Sequence, residues 1–223
     1  MEALKCYTHD NKIRLGGDFD GGYIIVDGFE YNVLISCNIY GNNSFETDFL
    51  NKNINIKCYI YDEKNNKDKD IKNNNIIYKS IFFKKHTNLT ISETEHDLYK
   101  VIKNNDKIFL KINLKGEEFN LINNIPLNLL SKISQMVIVF YYPFKIDKFN
   151  VFKKINRTHY LIHFHPHNFY STKNINGIIV PEVFECTYIN KNIIPKPELN
   201  NINIPCELDK KNCKKKDDIY LSR

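Results

Sequence analysis

Three histidines stand at alternate positions in His163-Phe164-His165-Pro166-His167. Alternate side chains of an extended chain face one way, so the imidazoles converge, and converging imidazoles serve a metal ion or acid–base chemistry. Pro166 ends the strand and frees His167 from that line. Glu182 and Glu185 are candidates in space to complete the cluster. Ordinary hydrogen-bonded histidines are the plainer alternative, and no metal ligands are expected. A second candidate is Arg14–Tyr23, RLGGDFDGGY, whose paired glycines either wrap a ligand, with Arg14 or Asp20 touching it, or simply turn tightly. A third is Asp62, directly after the apolar run Ile56–Tyr61. A carboxylate there accepts hydrogen bonds from a ribose diol, or else caps a turn.

Positioning these groups requires alternating strands and helices. Asn32–Cys37 reads as a buried strand feeding the polar turn Asn38–Asn43. Asn43 and Glu46 then pair as N-cap and N3 of a helix with Phe45 and Phe49 on one face. Ile56–Tyr61 is the next strand, Glu63–Asn75 a surface loop and Ile76–Phe83 a third strand. Ser92 and Glu95 form a capping box before the apolar face of Leu98, Val101 and Ile102. Ile108–Leu114 is a strand, Glu117–Asn123 a short helix, and Leu127, Leu130 and Ile133 mark another helical turn or two. Gln135–Tyr142 is apolar enough to lie buried on both faces, and Tyr160–His165 and Val183–Ile189 are further strands. The alternation implies an α/β fold, a mostly parallel sheet with helices on both faces. Ligands of such sheets bind at the carboxyl ends of the strands.

With 223 residues, 42% of them apolar, the chain can bury one sizeable core, so a single domain over 1–223 is expected. Residues 1–31 form its N-terminal cap and 195–223 an extended C-terminal strap. The charge of +6 comes from lysines alternating with asparagine and aspartate rather than from a basic stripe, so nucleic acid is not an expected partner. The opening MEALKCYTHD has no apolar leader and no run approaches the ~18 apolar residues of a span, so a soluble cytoplasmic protein without membrane contact is expected. Cys206 and Cys213 lie in a polar tail without CxxC spacing and read, with the other four cysteines, as free thiols. The oligomeric state is left open.

Several segments fall in the order and spacing of one family. Arg14, Gly16 and Asp20–Tyr23 resemble an opening R-x-G…DGGYV, Ser44–Glu46 an SFE, and Lys111–Phe119 the motif LKIDIEGGEW. His163, His165 and Asn168 resemble HxHxNN, Pro181–Tyr188 resembles P-x-x-x-E-x-T-Y, and Leu208–Cys213 resembles LDxPNC. The chain thus resembles the DGGY-containing branch of FkbM-type S-adenosylmethionine (SAM) methyltransferases along nearly its whole length. The resemblance implies a Rossmann-like class I SAM-dependent methyltransferase fold with a seven-stranded sheet. It also implies SAM as cofactor and O-methylation of a sugar or other small-molecule hydroxyl, with a small-molecule or glycan acceptor as partner. Asn38, Gly41, Glu46, Asp62, Asn113, Asp20 and Tyr23 would then lie on the cofactor side, and His163, His165 and Tyr141 would be catalytic. The chain departs from the pattern in the SAM loop, where SxGIG reads Ser36-Cys37-Asn38-Ile39-Tyr40, and at Asn113, which stands for the motif's Asp. Lys115 and Glu117 alter the EGGE turn, and Val139 with Tyr141 replaces an ExH. Two readings follow: a methyltransferase rebuilt around His163, His165 and Asp62, with Tyr141 and Asn113 as neutral substitutes, or a degenerate relative that keeps the fold as a binding or scaffold protein.

Overall fold

The computed structural model describes residues 4–39, 43–62, 74–80, 93–201 and 203–221. Its centre is a seven-stranded sheet of β3 (Val33–Asn38), β4 (Lys57–Asp62), β5 (Ile76–Ser80), β6 (Ile108–Asn113), β7 (Ile133–Tyr141), β8 (His159–Pro166) and β11 (Val183–Asn190). The order is β5-β4-β3-β6-β7-β11-β8. The other neighbours run parallel, while β11 is antiparallel to both β7 and β8. Strand order reverses at β3, so β3 and β6 flank the switch point where such sheets open a crevice at their carboxyl ends.

Two apolar layers hold the sheet. On one face Ile35, Ile112, Ile138 and Phe140 meet α2 (Glu93–Lys103), α3 (Glu118–Asn124) and α5 (Ile146–Ile155) through Leu98, Ile102, Leu121, Ile122 and Phe152. On the other, Leu34, Ile60, Phe109, Val137 and Val139 meet α1 (Ser44–Lys52) through Phe45 and Phe49, and β2 (Tyr23–Val26) through Tyr23 and Ile25. Each such fully buried side chain contributes ~1.5–3 kcal/mol. Burial on both faces explains why β7 reads as a continuous apolar run.

Two hairpins lie outside the sheet. β1 (Lys12–Leu15) pairs with β2, and the RLGGDFDGGY segment is largely its connecting loop. Arg14 folds that loop upon itself, its Nη2 donating to the carbonyls of Gly17 (2.9 Å) and Phe19 (3.0 Å). Position 22 admits only glycine, because a Cβ there would overlap the Gly17 carbonyl and the Arg14 guanidinium. The loop therefore turns tightly on Arg14. The second hairpin joins β9 (Thr172–Ile175) to β10 (Ile178–Pro181) through Asn176-Gly177, with φ of 52° and 83°. Two positive φ values mark a two-residue type I′ connection, for which Asn-Gly is the strongest local signal. This hairpin adds to the elements expected from the sequence.

Three local expectations are corrected. Asn43 makes no side-chain cap and Glu46 is no N3 capping partner, because its carboxylate is drawn inward to a buried cation. Ile133 belongs to β7, since the helix α4 (Leu127–Leu130) stops before it. The first helical residue after Leu114-Lys115-Gly116-Glu117 is Glu118. The Ser92–Glu95 capping box, the far end of the Ile76–Phe83 strand and most of the Glu63–Asn75 loop lie outside the described residues, and the structure tests none of them.

Candidate functional site at the carboxyl edge

Sheet register places Asn38 opposite Asp62 on one side and Asn113 on the other. Three polar side chains from adjacent strands, ~4.8 Å apart, therefore end β4, β3 and β6 side by side at the switch point. The chain leaving β3 is pinned to this edge by the Ile39 N–H, which donates to the Asn113 carbonyl (3.1 Å). Gly41 and Tyr40, the next loop positions, lie outside the described residues.

Beneath Asn38 sits a buried charge pair. Lys111 Nζ lies 2.7 Å from Glu46 Oε1, with side-chain exposures of 2% and 0%. The same oxygen accepts from the Ser36 hydroxyl and from Asn38 Nδ2 (3.1 Å). Burial alone would raise the Glu46 pKa; the Lys111 cation and the Ser36 donor overcome it and hold the carboxyl below its ordinary value. The rings of Tyr23 and Phe45 flank the ammonium at 5.2 and 5.5 Å from their centroids. Among the described residues, Asn38 Oδ1 and Glu46 Oε2 have no donor, and an unsatisfied buried acceptor costs about 1–3 kcal/mol.

Asn113 heads a second network. Its Nδ2 donates to the Tyr23 hydroxyl (3.3 Å) and its Oδ1 accepts from the Tyr141 hydroxyl (3.0 Å). Burial pushes both phenols up, so each remains a neutral hydroxyl. Tyr141 is steadied by Glu118, whose Oε1 accepts from the Tyr141 N–H and whose Oε2 accepts from the Gly116 N–H, both at 2.7 Å. Burial lifts Glu118 to about 7 despite these donors. The turn feeding it places Lys115 at φ 51° and Gly116 at φ 120°. The Tyr141 ring meets Tyr170 edge-on, and Tyr170 meets His167 in the same way. His167 Nε2 lies 3.8 Å from Asp20 Oδ1, and this ring more than any other group draws the Asp20 carboxyl below its usual range. Asp20, Tyr23, Asn113 and Tyr141 are thus brought together, with His167 and Tyr170 added by the fold. His167 stands in the sequence cluster directly after β8, its N–H donating to the Val183 carbonyl (2.9 Å), and the β1–β2 loop brings Asp20 to it.

His163 and His165 belong to another group. β11 lies between β8 and β7, so two strand spacings separate them from Tyr141. His163 Nε2 lies 2.9 Å from Asp209 Oδ1. His165 is 1% exposed, with Nδ1 at 3.7 Å from both Glu185 and Asp209, and Nε2 at 3.4 Å from Asp218. Burial alone would lower its pKa, but Asp218, Glu185 and Asp209 bring it to about 10. Asp209 is brought to about 2, burial being outweighed by the adjoining His163. Of the two acids expected near these rings, Glu185 is in place; Glu182 faces Lys173 instead, at 3.9 Å. The tail is tied on by Asn168, which accepts from the Cys213 N–H (2.7 Å) and donates to the Cys213 and Lys216 carbonyls, and by Asn212, which donates to Glu185 (2.7 Å). A surface groove of about 400 Å³ beside Tyr7, Lys196 and Leu199 contains none of these residues.

The strand order, the antiparallel β11 set beside the edge strand and the helices on both faces define a Rossmann-like class I methyltransferase fold. No protein-family profile matches the chain, and no curated protein matches it. Among solved structures, a complex of fibrillarin with Nop5p is similar with a TM-score of 0.39 and 9% identity, covering 71% of this chain and 72% of that chain. No described helix is long and apolar enough to cross a membrane.

Proposed function

We propose that the chain is a SAM-dependent methyltransferase of FkbM type that methylates a hydroxyl of a sugar or other small molecule. The observation that carries this reading is the row Asp62–Asn38–Asn113 at the switch point of a class I fold. Its residues fit the cofactor: the Asp62 carboxylate suits a ribose diol, and the donorless Asn38 Oδ1 suits an ammonium or amino group. When bound, SAM supplies a methyl group on a positively charged sulfur. The Asn113–Tyr141–Tyr23 chain orients the acceptor by neutral hydrogen bonds, and holding it in line provides most of what such a transfer needs. His167 is the proposed base. Its Nδ1 has no partner among the described residues and takes the hydroxyl proton, while Asp20 beside Nε2 stabilises the imidazolium that forms. This replaces His163 and His165 in the catalytic role.

Binding without turnover is the second reading, favoured by Asn113 itself, whose amide is shared between two neutral phenols where the resembling motif has an acid. The test is a thermal shift with SAM or S-adenosylhomocysteine, since a ligand of the native state raises its melting temperature. No shift at millimolar ligand removes the enzyme reading and leaves the degenerate fold. A shift together with transfer of labelled methyl to a sugar mixture, lost in His167→Ala with the shift retained, selects the enzyme; a shift without transfer selects the binding protein.

A further inference from the structure

Independently of that reading, we propose that His163, Cys206 and Asp209 form a binding site for a zinc-like divalent cation, joining β8 to the C-terminal tail. Their ligand atoms lie within 4.8 Å of one another. Ligands around tetrahedral zinc stand ~3.3–3.6 Å apart, so the 2.9 Å between His163 Nε2 and Asp209 Oδ1 need open by only about half an ångström. Nitrogen, sulfur and carboxylate oxygen together are the donor set of zinc rather than of calcium or magnesium.

The tail is shaped for this task. Asp209 N–H donates to the Cys206 carbonyl (3.0 Å), and the Cys206 N–H donates to Asp209 Oδ2 (2.7 Å). That four-residue turn holds both side chains on one side and leaves Oδ1 to face His163. A separate observation points into the same space. His165 is 1% exposed, and neither ring nitrogen has a hydrogen-bond partner among the described residues, although Nδ1 lies 3.7 Å from Asp209 Oδ1. That nitrogen is shared with Glu185 at the same distance, and His165 is not among the three clustered ligands, so the ring backs Asp209 rather than binding the cation. Cys206 is only partly buried, which leaves an entry path.

The test uses the full chain, reduced, stripped with a chelator and titrated with Zn²⁺ against a chelating dye, then with Co²⁺ to read the thiolate charge-transfer band. One equivalent per chain is expected, with a thiolate band and a metal-dependent rise in melting temperature. Cys206→Ser should lose the band and bind at least about 10-fold more weakly, while Cys213→Ser keeps both. Cys206→Ser should also melt with the metal-free wild type in chelator, which separates loss of a ligand from misfolding. No saturable binding, or a Cys206→Ser variant that binds as the wild type does, overturns the proposal.

Discussion

Lys111→Met tests the buried pair at the centre of the site. The substitution keeps most of the hydrocarbon stem between Tyr23 and Phe45 but removes the ammonium 2.7 Å from Glu46. Glu46 then keeps only the Ser36 and Asn38 donors on Oε1 and has none on Oε2 among the described residues. Removing one partner of a buried ion pair costs ~3–5 kcal/mol, because the other charge is left uncompensated. At ~2–4 °C per kcal/mol for a chain of this size, the melting temperature should fall by roughly 6–20 °C. The assay is urea unfolding of wild type, Lys111→Met, Glu46→Gln and the double variant. Neutralising Glu46 in the absence of Lys111 should return about 1–3 kcal/mol, so the double variant is more stable than Lys111→Met alone. The pH response has a defined sign. In the wild type the native Glu46 pKa is depressed, so its contribution is complete above its ordinary 4.5 and is lost as pH falls through the native value. In Lys111→Met burial is opposed only by the Ser36 and Asn38 donors and raises that pKa, so the gap to wild type narrows as pH falls toward 4.5. A Lys111→Met loss below about 1 kcal/mol, or a double variant that loses the sum of the singles, refutes the reasoning.

Glu118 should impose the opposite pH slope. Its native pKa of about 7 lies above the ordinary 4.5, so stability falls by about 3 kcal/mol as pH rises between those values. Urea unfolding of Glu118→Gln at pH 4.5 and 7 should lack that loss, and curves parallel to wild type would contradict the assignment. Asp62→Ala should abolish the thermal shift with SAM, and an unchanged shift sinks the ribose contact. Tyr141→Phe removes the donor to Asn113 Oδ1 and should cost ~1 kcal/mol by chemical denaturation. A cost near zero would mean that water replaces the phenol.

The local elements were legible because their signals are local. β3, β6 and β7 are short apolar runs ended by a polar residue or proline, and α3 begins one residue from its expected start. The Asn176-Gly177 hairpin carries an equally local signal, since two residues of positive φ suffice to join its strands. Glu46 was misread for a physical reason. Three residues after Asn43, an acid fits a helix cap, and nothing nearby reveals that a lysine 65 positions away supplies a stronger partner inside the core.

The sequence by itself therefore determined the α/β alternation, the burial of the central strands on both faces and the clustering of polar groups at strand ends. Periodicity and turn chemistry act within a few residues, and these features need no more. Only the tertiary structure decided which groups meet. Sheet register aligned Asp62, Asn38 and Asn113, the β1–β2 loop set Asp20 beside His167, and the returning tail set Asp209 against His163 across 46 positions of chain. Such contacts form wherever packing brings strands and tail together, and that placement depends on the core as a whole rather than on the residues beside each site.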